Sequence, residues 1–109
     1  MGTFNTVSAD LACPRCGSRA IRRIQFKYGN LRLHEYKVGD QLVWGGVDVG
    51  RPGRARVVAD GIMEDCEKCG LDEADFEVWM EVDRIVSVVA SSGRYDFASA
   101  RETFIVVEE

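Results

Sequence analysis

Every cysteine in this chain of 109 residues falls in one of two copies of a single short pattern. The first copy is Cys13-Pro14-Arg15-Cys16-Gly17 and the second is Cys66-Glu67-Lys68-Cys69-Gly70. In a Cys-x-x-Cys turn the chain doubles back, so both sulfurs point into one small space, where backbone N–H groups can donate to them and spread the thiolate charge. The residue after the second cysteine often needs a positive φ, which glycine adopts at little steric cost. Gly17 and Gly70 stand there, and Pro14 presets φ for a tight turn. Two such turns supply the four soft ligands of a tetrahedral zinc site, with no cysteine left over.

On these residues the chain resembles the zinc-ribbon group, in which two knuckles at the tips of β-hairpins clasp one zinc ion. It is similar, more distantly, to the rubredoxins, which use paired Cys-x-x-Cys-Gly knuckles for iron. The resemblance covers residues 13–17 and 66–70 with their flanking strands, and it implies that Cys13, Cys16, Cys66 and Cys69 are the ligands of one structural Zn²⁺ per chain. One departure stands out. Compact ribbons separate their knuckles by roughly 15–20 residues, whereas residues 17–65, forty-nine positions, intervene here. The expected organisation is one zinc-ribbon-like domain over 1–109, with 17–65 as a long β-rich insertion.

Two other uses of the cysteines stay open: iron in place of zinc, and a disulfide or redox role. Cys13-Pro14-Arg15-Cys16 resembles the Cys-Pro-x-Cys of glutaredoxin-like enzymes, but those motifs open a helix whose N-terminus lowers the thiol pKa. Here Ile21 to Tyr28 alternates like a strand, and a second pair completes a metal site. Catalytic zinc keeps an open position beside three protein ligands, while four thiolates close the shell. Structural zinc is worth on the order of 10–16 kcal/mol in small zinc-finger peptides, so folding is expected to depend on the metal.

Length and an apolar content of 46% suit one modest core. No run approaches the ~20 apolar residues of a membrane span, and the N-terminus lacks the charged and apolar regions of a signal peptide. Thiols arranged for metal suit a reducing compartment, so a cytoplasmic location is expected. The charge is uneven. Residues 1–60 carry 10 Lys/Arg against 5 Asp/Glu, and residues 61–109 carry 4 against 13. The two halves are expected to neutralise one another in part or to lie in solvent. The sharper reading makes Arg19, Arg22, Arg23 and Lys27 a contact surface for nucleic acid or an acidic partner.

The chain reads as mainly β: a small antiparallel sheet with the Zn(Cys)4 clasp and one short helix. Strands are expected over Phe4–Leu11, Ile21–Tyr28, Gln41–Trp44, Ala55–Met63, Phe76–Val82, Ile85–Ala90 and Thr103–Val107. There Phe76, Val78, Met80 and Val82 alternate with Glu77, Trp79, Glu81 and Asp83, and a helix is the alternative. Gly29-Asn30 signals a two-residue hairpin that sets Tyr28 against Leu31 and Phe26 against Leu33. The apolar parity then breaks, which predicts a β-bulge near His34-Glu35. Gly39-Asp40 and Ser91-Ser92-Gly93 read as turns, residues 45–54 as a glycine-rich loop, and Asp96 as the cap of a helix through Ala100. His34, the single histidine, has no partner motif for acid–base work. Trp44 and Trp79 read as core or rim residues, and Phe26 and Tyr28 as core-facing. The expected function is a non-catalytic binding or adaptor module, with a protein partner favoured by the acidic overall charge. The alternatives are a zinc-ribbon nucleic-acid-binding or transcription-related factor and a thiol redox switch.

Overall fold

The computed structural model describes residues 4–46, 48–64, 66, 68–70, 74–97 and 103–109. Nine strands run in this order among them: β1 (Asn5–Ala12), β2 (Arg19–Phe26), β3 (Gly29–Asn30), β4 (Glu35–Lys37), β5 (Asp48–Val49), β6 (Arg56–Met63), β7 (Asp75–Glu81), β8 (Arg84–Ala90) and β9 (Phe104–Glu108). The main sheet has the order β4-β1-β2-β6-β7-β8, with β9 also on β6 and a separate small ladder between β3 and β5. All its pairs are antiparallel except β1 with β4. The expectation of a mainly β chain holds, and residues 75–81 form a strand and not a helix.

β1 and β2 form one hairpin and β6 and β7 a second. They join through three residue pairs only: Ile24 with Met63, Gln25 with Ile62 and Phe26 with Gly61. Gly61 makes this contact possible, because a Cβ there would stand 2.7 Å from Ile24 Cγ2 and 3.1 Å from the Phe76 carbonyl oxygen. β9 takes the rest of the same edge of β6, from Arg56 to Ala59. The Thr103 hydroxyl donates to the Lys27 carbonyl (2.8 Å), which staples the end of β2 to the start of β9. Beyond β4 the chain crosses to β8: the Gly39 N–H donates to the Ile85 carbonyl (2.7 Å), the Ile85 N–H to the Asp40 carbonyl (3.0 Å) and the Leu42 N–H to the Asp83 carbonyl (2.7 Å). The outer strands of the sheet thereby meet, and the sheet curls around its core. That core holds Val7, Ile24, Phe26, Tyr28, Val57, Met63, Phe76, Val78, Met80 and Ile85. Phe26 and Tyr28 lie inside it, as their parity predicts; Trp44 and Trp79 are half-buried.

Several expectations fail where pairing is non-local. Gly29-Asn30 is not a hairpin turn. It is strand β3, paired with β5 inside the glycine-rich stretch. Phe26 does not face Leu33, which lies in the irregular segment before β4 at φ 56° with 59% of its surface exposed. No bulge occurs at His34-Glu35; Glu35, Tyr36 and Lys37 form β4, parallel to Thr6, Val7 and Ser8. The register shifts fall instead between Arg56 and Val57 and between Trp79 and Met80. Gln41–Trp44 contributes one bridge, Gln41 with Arg84, and no strand. Glu77, which alternates with the apolar residues of β7, is 3% exposed. Its carboxylate accepts from the Ser92 N–H (2.9 Å), the Ser92 hydroxyl (2.8 Å) and the Trp79 indole N–H (3.3 Å), and Tyr95 lies edge-on to Trp79. The segment after β8 thus folds over that face. The turn at Gly39-Asp40 forms as expected, with the Asp40 carboxylate accepting from the Lys37 N–H (2.8 Å). Of the helix expected from Asp96 through Ala100, residues 98–100 lie outside the described residues.

Asn5 organises the irregular part. Fully buried, it donates from Nδ2 to the carbonyls of Tyr28 (3.2 Å) and Asn30 (3.0 Å), while its Oδ1 accepts from the His34 N–H (3.1 Å). Asn5→Leu keeps the branched shape of the side chain but strands two buried backbone carbonyls and one half-buried N–H, at 1–3 kcal/mol for an unpaired buried group. We predict a loss of about 3 kcal/mol in urea unfolding; a change below about 1 kcal/mol would refute this role. The β7–β8 turn stores strain. Val82 and Asp83 have φ of 47° and 66°, the left-handed pair of a type I′ turn. Asp83 tolerates this region, but Val82 is β-branched and 61% exposed. Val82→Asn is predicted to raise stability by about 1 kcal/mol, read as a higher urea midpoint.

Candidate metal centre

The strand pairing brings the two knuckles together. The first knuckle lies in the connection from β1 to β2 and the second in the connection from β6 to β7. Because β2 and β6 are antiparallel neighbours, the start of β2 and the end of β6 lie at the same end of the sheet. Both hairpin tips emerge there. The two turns close alike: the Gly17 N–H donates to the Cys13 carbonyl and the Gly70 N–H to the Cys66 carbonyl, each at 2.9 Å. Gly17 (φ 76°) and Gly70 (φ 74°) are left-handed, as the turns require.

The sulfurs of Cys13, Cys16, Cys66 and Cys69 all lie within 4.8 Å of one another, a group that could hold a metal ion. Contacts between the knuckles are Cys13 Sγ to Cys69 Sγ at 3.6 Å and Cys16 Sγ to Cys66 Sγ at 3.8 Å. A Zn–S bond of ~2.3 Å implies sulfurs about 3.8 Å apart at the corners of a tetrahedron. A disulfide needs ~2.05 Å, and all four cysteines are free. Cys13 and Cys66 are buried, Cys69 is half-buried and Cys16 is exposed.

Local donors suit thiolates. The backbone N–H groups of Cys69 and Lys68 pull the Cys66 thiol down to about 5 against a desolvation that raises it. The Ser18 hydroxyl, 3.2 Å from Cys16 Sγ, lowers the Cys16 pKa, helped by the Ser18 backbone. Ser18 Oγ also lies 3.9 Å from Cys66 Sγ, so it spans both knuckles. Arg22 holds it in place: Nη2 donates to the Ser18 carbonyl (2.7 Å) and hydroxyl (3.0 Å), while Nε donates to the Leu11 carbonyl (3.1 Å). Neither supporting role was read from the sequence. The visible signal is an asymmetry, since a serine follows the first knuckle glycine and Leu71 the second.

Of the four basic residues expected to act together, Arg19, Arg22 and Arg23 line one groove beside the start of β2, and Lys27 lies beyond its other end. Arg22 points toward the knuckle stem. Arg19 pairs with Asp10 (3.6 Å), and Arg23 with Glu35 (3.7 Å) and Glu64 (3.6 Å). Lys27 follows the far end of β2, about 26 Å from Arg19 at ~3.3 Å per strand residue. His34 is half-buried in the turn before β4. Among the described residues no helix is long and apolar enough to cross a membrane.

Comparison with protein-family models, curated proteins and solved structures gave no match to this chain. The metal-centre geometry therefore carries the functional argument alone.

Partners that orient metal ligands typically contribute 10–100-fold to metal affinity. Ser18→Ala is predicted to weaken metal binding about tenfold in competition with a chromophoric chelator, while the circular dichroism of the sheet stays unchanged. Equal affinity in both proteins would remove Ser18 from the site.

Proposed function

We propose that the chain is a non-catalytic binding module whose two hairpins are clasped by one structural Zn²⁺ on Cys13, Cys16, Cys66 and Cys69. The observation that carries this reading is the sulfur spacing, 3.6 and 3.8 Å between the knuckles, close to the edge of a zinc–thiolate tetrahedron at about 3.8 Å. Four protein thiolates fill the coordination shell, so the metal has no position for a reacting water and serves the fold. It supplies the cross-link that holds the two tips together.

A protein partner is favoured over nucleic acid. Arg19, Arg22 and Arg23 are engaged with carboxylates or backbone carbonyls, which reduces the charge available to phosphates. Phe26 and Tyr28, the aromatics of β2 and its end, are buried and cannot stack on bases.

The test is elemental analysis of protein purified without a tag, followed by chelation. We expect one zinc per chain and a thermal midpoint at least ~10 °C lower after chelation, since one kcal/mol moves a domain of this size by roughly 4–8 °C. Iron in place of zinc, or an unchanged melting curve without metal, would overturn the assignment. Binding to DNA or RNA that weakens steeply with salt would replace the protein partner with a nucleic acid.

A further inference from the structure

The four cysteines are not equivalent. Cys16 is exposed, Cys69 is half-buried, and Cys13 and Cys66 are buried. An oxidant arriving from solvent therefore meets the Cys16 sulfur first. The susceptibility of a cysteine follows its thiolate character and its exposure, and its oxidation is reversible when a second sulfur stands ready to resolve it.

Here the sulfur in contact with Cys16 lies on the other hairpin. Cys16 Sγ is 3.8 Å from Cys66 Sγ, and Cys13 Sγ is 3.6 Å from Cys69 Sγ. Each of these pairs joins one knuckle to the other. Ser18 stands beside the first pair, with Oγ 3.2 Å from Cys16 Sγ and 3.9 Å from Cys66 Sγ. Arg22 Nη2 donates to that same oxygen (3.0 Å), so the hydroxyl's own proton is directed away from Arg22, on the side of the sulfurs. Backbone pairing also sets the two tips opposite one another: the Glu64 N–H donates to the Arg23 carbonyl (3.2 Å) two residues before Cys66.

We infer that Cys16 is a reversible oxidation site for hydroperoxides and that Cys66 resolves it, so that oxidation exchanges the metal clasp for a disulfide between the knuckles. The inference rests on the clasp reading above and adds a covalent state of the same four residues. In the first step the Cys16 thiolate attacks one peroxide oxygen. The S–O bond forms, the O–O bond breaks, and the departing alkoxide or hydroxide takes a proton from water. The sulfur is oxidised by two electrons to a sulfenic acid, and the peroxide is reduced by the same two. In the second step the Cys66 thiolate attacks that sulfur. The S–S bond forms, the S–O bond breaks, and the hydroxide leaves as water after taking a proton, with the Ser18 hydroxyl placed to donate to the departing oxygen. The two sulfurs approach by about 1.8 Å to reach the ~2.05 Å of a disulfide. Two of the four ligands are then consumed and the metal is released. A second equivalent of peroxide joins Cys13 to Cys69 in the same way. Disulfides within each Cys-x-x-Cys would have the opposite effect and free the tips from one another.

The experiment uses the full wild-type chain, its metal content measured on the same sample, with hydrogen peroxide as the oxidant and a chromophoric chelator to read released metal. Trypsin cuts after Arg15 and after Lys68, so each cysteine falls on its own peptide and every linkage is distinguishable by mass. At half an equivalent of peroxide with dimedone present, the sulfenic acid adduct should form on Cys16 at least fivefold more than on any other cysteine. Without dimedone, the Cys16–Cys66 link should appear first and Cys13–Cys69 second. Metal release should keep pace with the first link, and the circular dichroism of the sheet should stay unchanged. A thiol reductant should restore four thiols and the binding of one metal ion. Links within the knuckles, an adduct spread evenly over the four cysteines, or sulfinic acid as the main product would overturn the inference and leave the clasp standing. A sample that loads no metal would sink the clasp reading instead, and the exchange of metal for disulfide with it.

Discussion

The join between β2 and β6 is the constraint on which the rest of this molecule depends. Three residue pairs connect two hairpins that are otherwise each complete. The join is short for two local reasons. β9 occupies the distal half of the same β6 edge, and the close contact of Ile24 and Phe76 about Gly61 fixes where the strands cross. Past Arg23 and Glu64 the ladder ends and the strands separate. At that point the four cysteines converge, so a metal ion held by them would tie the hairpins together where backbone pairing stops. A ladder of full length would leave the tips side by side without needing a cross-link.

This view also accounts for the wide separation of the knuckles. Loop-closure entropy grows only with the logarithm of length, so spanning forty-nine residues in place of roughly eighteen costs about 1 kcal/mol more. That is small beside the affinity of four thiolates for zinc. The intervening chain does not hang free. It contributes β2 and β6 to the sheet, buries Tyr28 against Trp44 and Phe104, and crosses to β8 through Gly39 and Leu42. Asn5 holds this traverse to β1 by three hydrogen bonds, two of them buried.

What the sequence revealed follows the distance over which each feature is encoded. The knuckles are local, since glycine, cysteine and proline at fixed offsets dictate the turn. The alternation in β1, β2, β6, β7, β8 and β9 is local too, because each strand shows the sheet one face. Gly29-Asn30 misled because a left-handed glycine before asparagine is the usual hairpin signal. Gly29 is indeed left-handed, at φ 83°. Its neighbour is instead buried, its carbonyl accepting from Asn5, twenty-five residues away. The parallel pairing of β4 with β1 and the bridge of Gln41 to Arg84 leave no periodic trace. Glu77 alternates like any surface carboxylate, and only the later return of Ser92 and Tyr95 across that face buries it. The four cysteines were legible as a set, but Ser18 and Arg22 were not, because their role exists only once β1 and β2 are paired.

The charge pattern acquires a physical sense from the same geometry. With one Zn²⁺ bound, four thiolates would leave a net charge of about −2 at one end of the sheet. Arg22 turns toward that end through Ser18, and Lys68 lies within the second knuckle. Elsewhere the basic first half and acidic second half meet in pairs: Arg23 with Glu64, Arg56 with Glu81, and Arg54 with Glu109. These exposed pairs are each worth little, at most about 1 kcal/mol. Among the described residues they set a cation of the first half beside a carboxylate of the second. The arginines of β2 serve the sheet's own pairing: Arg23 reaches Glu35 on β4 and Glu64 just past the end of β6, and so bridges the two hairpins where their ladder ends.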